Sequence, residues 1–124
     1  MSLIRGIRGA TTATNNTKHA IVRATTELIE KLVKANNIIT DEIAAAIFTT
    51  THDLNAEFPA VAARMIGWND VALMCSHEMQ VPDGLPNCIR VLMLINTEKG
   101  PKELIHVYLR GAKNLRTRGI KADQ

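Results

Sequence analysis

The chain has 124 residues, a formal net charge of +3, a hydrophobic content of 46% and an aromatic content of only 3%. A chain of this length folds as one domain around one core. Because the lysines and arginines form no basic run and few aromatic residues are present to stack on bases, the composition disfavours a nucleic-acid partner.

The sequence also argues against a membrane, metal or cofactor role. It has no apolar run long enough to span a bilayer, and its N-terminus lacks the apolar stretch of a signal peptide. Cys75 and Cys88 lack CxxC spacing, the histidines are dispersed, and no glycine-rich nucleotide loop is present. We therefore expect a cytoplasmic protein with free thiols, no membrane partner, no metal and no cofactor.

In chain order, residues 3–12 are predicted to form the first strand. Residues 15–17 supply polar caps for an amphipathic helix that is expected to run to about Ala35, where two asparagines stop it. Residues 46–51 are the second predicted strand. The crossover between these two strands is of the βαβ type.

Pro59 is predicted to open a short helix that Gly67 closes, and strands are expected at residues 71–75 and 88–96. The resulting βαβαββ order predicts a single-domain sandwich of the α+β or α/β class, with a mixed sheet and helices on one face. We expect this domain to span residues 1–116, followed by a mobile basic tail at 117–124. Oligomerisation is the simplest cover for the apolar sheet face that remains.

Two apolar strands each carry one arginine, Arg8 in LIRGIRGATT and Arg90 in CIRVLMLI. Burial of an unpaired guanidinium is costly, so an anionic partner is expected for each. That partner is either an internal carboxylate or an anionic ligand. The small neighbours of Arg8, Gly6 and Ala10, leave room for a ligand and favour an anion-binding site.

Several motifs occur in a fixed order along the chain: RGIRGATT, DLNAEFPAVAAR, GW, CxxE, CIRV, and HVYL before a terminal LR. Together they resemble the monofunctional, trimeric α/β class of chorismate mutases, over nearly the whole length from Arg5 to Arg116. The resemblance implies a trimeric pseudo-barrel that isomerises chorismate to prephenate in phenylalanine and tyrosine biosynthesis. This pericyclic step needs no nucleophile, metal or cofactor.

The same resemblance assigns roles to residues. Arg90 is expected to contact the ether oxygen and a carboxylate of chorismate, and Arg8 a carboxylate. Glu78 and the Cys75 thiol are expected to hydrogen-bond the ring hydroxyl, and Tyr108 to contact a carboxylate.

The resemblance also places residues from a neighbouring subunit of the homotrimer at the pocket, namely Phe58, Ala60, Arg64 and Leu115. Met74 is expected to join the substrate-binding set, and Arg116 corresponds to a basic position near the pocket mouth. Val61 stands where some relatives have a lysine.

Two other interpretations remain open from the residues alone. One is a trimeric imine or enamine deaminase, whose family shares the architecture but not the paired RGIRG and CIRV arginines. The other is a non-catalytic binder of anionic metabolites that uses the same arginines without turnover. An RNA-binding module is a weaker third possibility because of the low aromatic content.

Overall fold

The fold is a five-stranded mixed sheet with two helices, here in a computed structural model that describes residues 3–115. The strands are β1 (Leu3–Thr12), β2 (Ile43–Thr50), β3 (Ala72–His77), β4 (Cys88–Thr97) and β5 (Val107–Tyr108). The helices are α1 (Lys18–Asn36) and α2 (Ala60–Met65), and short 3₁₀ turns lie at Thr40–Glu42, Pro101–Glu103 and Arg110–Ala112.

The strand order is β3-β2-β4-β1-β5. The central strand β4 is antiparallel to both neighbours, β1 and β2, whereas the outer pairs β2 with β3 and β1 with β5 are parallel. The α1 crossover therefore joins two strands that are parallel but separated by β4, while the α2 crossover joins direct neighbours.

Helix α1 has the boundaries that its polar flanks predict. The Thr17 hydroxyl accepts a hydrogen bond from the Ala20 backbone N–H at the N-terminus, and Asn37 adopts the left-handed conformation that ends the helix. The helix buries one face, which includes Ile21, Leu28 and Leu32, against the sheet.

Both helices pack on the same face of the sheet. The alternate β4 residues Ile89, Val91, Met93 and Ile95 are all at most 3% exposed there. Because successive strand residues point to opposite faces, the side chains between them, such as Arg90, lie on the uncovered face. We call the two sides the helix face and the open face.

The structure confirms the expected mixed sheet with helices on one face. Strand β1 has the predicted ends, and α1 extends one residue beyond the predicted Ala35. The βαβαββ pattern was wrong in one respect, because it omitted β5, a strand of only two residues that pairs with β1. No helix among the described residues 3–115 is both long enough and apolar enough to cross a membrane.

Candidate functional site

A cleft of about 610 Å³ lies on the open face of the sheet. Its walls come from β1, β2, β4 and β5 and from the segments that follow β3 and β5. The chemically important lining residues are Arg8, Thr49, Glu78, Arg90, Tyr108 and Leu115. The sequence analysis had predicted all of these except Thr49 as site residues.

Arg90 and Glu78, which both line the cleft, form a two-pronged ion pair. Arg90 Nε donates to Glu78 Oε2 at 2.6 Å, and Arg90 Nη2 donates to Glu78 Oε1 at 2.7 Å. Within residues 3–115 these are the hydrogen bonds of the guanidinium, so its Nη1 edge is free to bind a ligand oxygen. The pair answers both sequence-based interpretations of Arg90, since the arginine meets a carboxylate and still lines a cleft.

Glu78 remains ionised in this environment. Burial opposes the charge, but hydrogen bonds from Arg90 and from the Thr49 hydroxyl, together with the Arg90 charge, outweigh it. The pKa of the Glu78 carboxyl therefore lies below its ordinary value of 4.5. The hydrogen bonds to Glu78 in turn raise the pKa of Arg90, so both groups are charged at neutral pH.

Arg8 lies on β1, directly beside Leu92 of β4, and its exposed side chain borders the cleft. Its backbone N–H donates to His106 Nδ1 at 2.9 Å, just before β5 begins. His106 must therefore be neutral at Nδ1 to accept this bond. Burial and the nearby Arg8 charge both lower the pKa of His106 and favour that state.

Tyr108 and Leu115 close one end of the cleft. Both pack against a small buried cluster of Ala10, Cys88 and Ala112. Burial raises the pKa of Cys88 to about 11, so this thiol is neutral and acts as packing. Leu115 was expected to reach the pocket from a neighbouring subunit, but the structure places it in the cleft of its own chain.

The remaining predicted residues gather elsewhere. Phe58 and Cys75 line a separate pocket of about 260 Å³, and the Cys75 thiol is close to the backbone of Ala60 and to Arg64. Phe58 is 65% exposed although it stands next to this pocket. We call Phe58, Ala60, Arg64 and Cys75 the α2 cluster, because they lie in or beside that helix.

Cys75 does not join Glu78 as predicted. It pairs with Phe48, whose side chain is fully buried, so Cys75 also points to the helix face and packs on the core. The period-2 alternation thereby separates it from Glu78 and Arg90 on the open face. Burial raises the pKa of the Cys75 thiol, partly offset by the Ala60 backbone and Arg64, and the thiol is neutral at neutral pH.

Met74 is on the open face, on the edge strand β3, and is 64% exposed, outside the cleft lining. Arg116 and the predicted tail at 117–124 lie outside the described residues. Thr49 was missed by the sequence analysis. The alternation in the strand IAAAIFTT indicates which residues share a face with Thr49. Only the register of β2 against β4, which the structure shows, places Thr49 opposite Arg90.

Among residues 3–115, no three His, Cys, Asp or Glu side chains are grouped in a way that could hold a metal ion. The charged and polar side chains that line the cleft offer electrostatic stabilisation. The cleft presents two guanidinium groups, one carboxylate and one phenol around a space large enough for a small organic anion.

Comparisons with known proteins bear on this cleft. Residues 4–118 match the sequence family described as chorismate mutase type I. The chain is 50% identical over 115 residues to chorismate mutase AroH of Thermus thermophilus, which covers 92% of this chain and 94% of that protein. It is 41% identical over 108 residues to chorismate mutase AroH of Bacillus subtilis strain 168, which covers 86% and 85% of the two chains.

The fold has a similar solved counterpart. A structure described as chorismate mutase from Clostridium thermocellum matches with a TM-score of 0.87 and 50% sequence identity. The match covers 88% of this chain and 97% of that one. The sequence-family match at residues 4–118 includes every residue that lines the cleft.

Proposed function

The chain belongs to the chorismate mutase type I family, and we propose that its open-face cleft is the place where chorismate rearranges. The protein is a chorismate mutase, an isomerase that converts chorismate to prephenate. In this unimolecular step a carbon–carbon bond forms while the ether carbon–oxygen bond breaks. No atom is gained or lost, so the task of the protein is to hold the reactive conformer and to stabilise charge.

The observation that carries the proposal is the oriented Arg90 guanidinium. Glu78 fixes Nε and Nη2 through two hydrogen bonds, so Nη1 is the guanidinium nitrogen that can donate to a ligand in the cleft that Arg90 lines. Negative charge grows on the ether oxygen as its bond to carbon breaks. A fixed guanidinium N–H at that oxygen stabilises the transition state more than the ground state, and this difference lowers the barrier.

Arg8 and Tyr108 are proposed to bind the substrate carboxylates. Chorismate is a dianion, so its two carboxylates require cationic or hydrogen-bonding partners when they leave water. Arg8 borders the cleft on β1, and Tyr108 borders it on the neighbouring β5. Together with Arg90 they offer two charges and one hydroxyl to an anionic ligand.

Glu78 is proposed to accept a hydrogen bond from the ring hydroxyl. Its ionised carboxylate has about four lone-pair positions. Arg90 uses two of them and Thr49 a third. One position remains, and a hydroxyl donor on the substrate ring matches it.

The α2 cluster is proposed to complete the pocket from a second copy of the chain, in a homotrimer. Phe58 and Met74 are large apolar side chains that one chain alone leaves largely exposed. Exposed apolar groups of this size favour an interface. In this arrangement the α2 cluster of one copy, which is Phe58, Ala60, Arg64 and Cys75, faces the cleft of the next copy. Cys75 then reaches a substrate that is bound by Glu78 of the other copy, so the two residues need not share a sheet face.

We further propose that the enzyme is cytoplasmic and that residues 1–116 form its catalytic domain. We also propose that Arg116, which lies outside the described residues, is a basic residue near the mouth of the pocket.

The first experiment follows the loss of chorismate absorbance with the purified protein, alongside Arg90→Ala. Prephenate formation by the unchanged protein and its near-complete loss in the variant are the expected results. Analytical ultracentrifugation on the same samples measures the assembly, with a trimer expected for both. A monomer with full activity would contradict the proposed shared pocket, and an active Arg90→Ala variant would contradict the proposed role of Arg90.

A further inference from the structure

Thr49 lies between β4, which carries Arg90, and β3, which Glu78 directly follows. Strand β2 lies between β3 and β4, and Thr49 pairs with Ser76 on one side and with Arg90 on the other. Its hydroxyl donates to Glu78 Oε2, the same oxygen that accepts from Arg90 Nε. The side chain thus bridges the end of β3 and the middle of β4 across the floor of the cleft.

The pair needs such a bridge because its own two hydrogen bonds do not fix its position in the cleft. The Arg90 side chain is 49% exposed, and long side chains at exposed ion pairs lose entropy when they are held. The Glu78 backbone is already anchored, since its N–H donates to the Thr50 carbonyl at 2.8 Å and its carbonyl lies 3.2 Å from His52 Nε2. Only the torsions of the Glu78 side chain remain to be set.

We propose that Thr49 is a positioning residue for the rearrangement. Its hydroxyl sets the plane of the Glu78 carboxylate, and that carboxylate sets the direction of the Nη1 edge of Arg90. Without the hydroxyl, the carboxylate and guanidinium can turn together as a unit, and the N–H groups lose their alignment with the ether oxygen. This inference rests on the proposed roles of Glu78 and Arg90.

The test compares Thr49→Val, which keeps the shape and β-branching but removes the hydroxyl, with Thr49→Ser, which restores it. Thr26→Val is the matched control, because Thr26 lies on α1 and does not line the cleft. We expect Thr49→Val to lower kcat about 10-fold, in line with the loss of a hydrogen bond to a charged group, and to change KM less than about 3-fold. Thr49→Ser and Thr26→Val should keep kcat within about 2-fold of the unchanged protein.

A second readout does not depend on activity. The Glu78 carboxyl carbon is titrated by NMR in the unchanged protein and in the same variants. Because the Thr49 hydroxyl stabilises the ionised carboxylate, Thr49→Val should raise the pKa of Glu78, and Thr49→Ser should leave it unchanged. A purely structural threonine would lower the unfolding midpoint in the valine variant without moving either readout.

The outcomes separate this inference from the proposed function. Unchanged kcat and an unchanged Glu78 pKa in Thr49→Val overturn the positioning role, even if Arg90→Ala is inactive and the proposed site stands. A shifted Glu78 pKa with unchanged kcat also overturns it, because the hydroxyl then affects Glu78 but not the reaction. If Arg90→Ala retains full activity, the proposed site itself fails, and the positioning role fails with it.

Discussion

Two arginine–glutamate pairs in this chain have the same connectivity but different surroundings. In the cleft, Arg90 binds Glu78 through Nε and Nη2 at 2.6 and 2.7 Å. On the outer side of α1, Arg110 binds Glu27 through the same two nitrogens at 2.9 and 3.1 Å. We call them the cleft pair and the outer pair.

The surroundings decide what each pair can do. In the cleft pair the Glu78 side chain is only 18% exposed and takes a third donor from Thr49, whereas the Glu27 side chain of the outer pair is 33% exposed. Exposed ion pairs are screened by water and salt and contribute little to stability. The comparison teaches that a bidentate geometry alone does not mark a site, since the outer pair also lines a cavity, with Arg23 nearby. The third donor from Thr49 and the lower exposure of the carboxylate distinguish the cleft pair.

Removal of the arginine from the cleft pair should have the largest effect. We expect Arg90→Ala to lower kcat more than about 10³-fold, because it deletes a preorganised full charge at the developing oxyanion. Arg110→Ala, the matched change in the outer pair, should keep kcat within about 3-fold. Steady-state assays with chorismate measure both variants. Equal losses in the two would show that the cleft pair has no special role.

Replacement of the glutamate of the cleft pair should lower kcat less than removal of its arginine does. Glu78→Gln keeps the size of the side chain but removes its charge, so Arg90 loses its orienting partner and the ring hydroxyl loses its acceptor. We expect kcat to fall about 30-fold. Glu30→Gln, at an exposed position on α1, is the control and should leave kcat unchanged. Full activity of Glu78→Gln would contradict the proposed role of the carboxylate.

Acidic pH should lower both kcat and the free energy of unfolding, whereas changes of pH in the neutral range should alter neither. The folded pKa of His106 lies below its ordinary 6.5, and that of Glu78 below its ordinary 4.5. As the pH falls, each of these two groups therefore becomes protonated in the unfolded chain at a higher pH than in the folded protein. Their contribution to the free energy of unfolding is complete above the ordinary pKa and is lost as the pH falls through the lower, folded-state pKa. We expect the unfolding free energy to be flat above about pH 6.5 and to decline below it. The decline of kcat should begin at lower pH, because it requires His106 and then Glu78 to take up protons in the folded protein.

The pH prediction has two distinguishing features. A bell-shaped kcat profile in the neutral range would indicate a general acid or base and would contradict an electrostatic mechanism. His106→Asn should shift the onset of the decline to lower pH, where Glu78 alone responds. Activity and urea unfolding measured over the same pH series check both points.

The smallest effect is expected for Glu27→Gln, which removes the negative charge from the outer pair. The free energy of unfolding should fall by less than about 1 kcal/mol, and added salt should remove the difference from the unchanged protein. Urea titrations at low and high salt measure this. A loss of several kcal/mol that persists in high salt would mean that the outer pair is not the screened contact described above.

Most of the fold could be predicted because it depends on local patterns. The Thr17 cap, the left-handed Asn37 and the alternation in β4 are each encoded within a few residues. Strand β5 could not be predicted, since two residues show no periodicity and the strand exists only through its pairing with the distant β1.

The candidate site was predictable in its residues but not in its grouping. An arginine in an apolar strand signals an anion, and this pointed to Arg8 and Arg90. Which face Cys75 takes depends on the register of β3 against β2, and a shift of one residue reverses it. A different register, that of β2 against β4, places Thr49 beside Arg90, and the alternation within β2 does not give this pairing on its own.

The short pairing of β5 with β1 has a consequence for how the cleft forms and opens. Arg8 and His106 are 98 residues apart in the chain, so their contact closes a very long loop. Contacts of this kind form late in folding and, where only two residue pairs hold them, open first by local fluctuation. The amide of Leu109, bonded to the Ala10 carbonyl at 2.9 Å, should thus exchange with solvent deuterium well before that of Met93 in the sheet centre. We therefore expect the side of the cleft that β5 and its Tyr108 form to open more often than the sides that the central strands form.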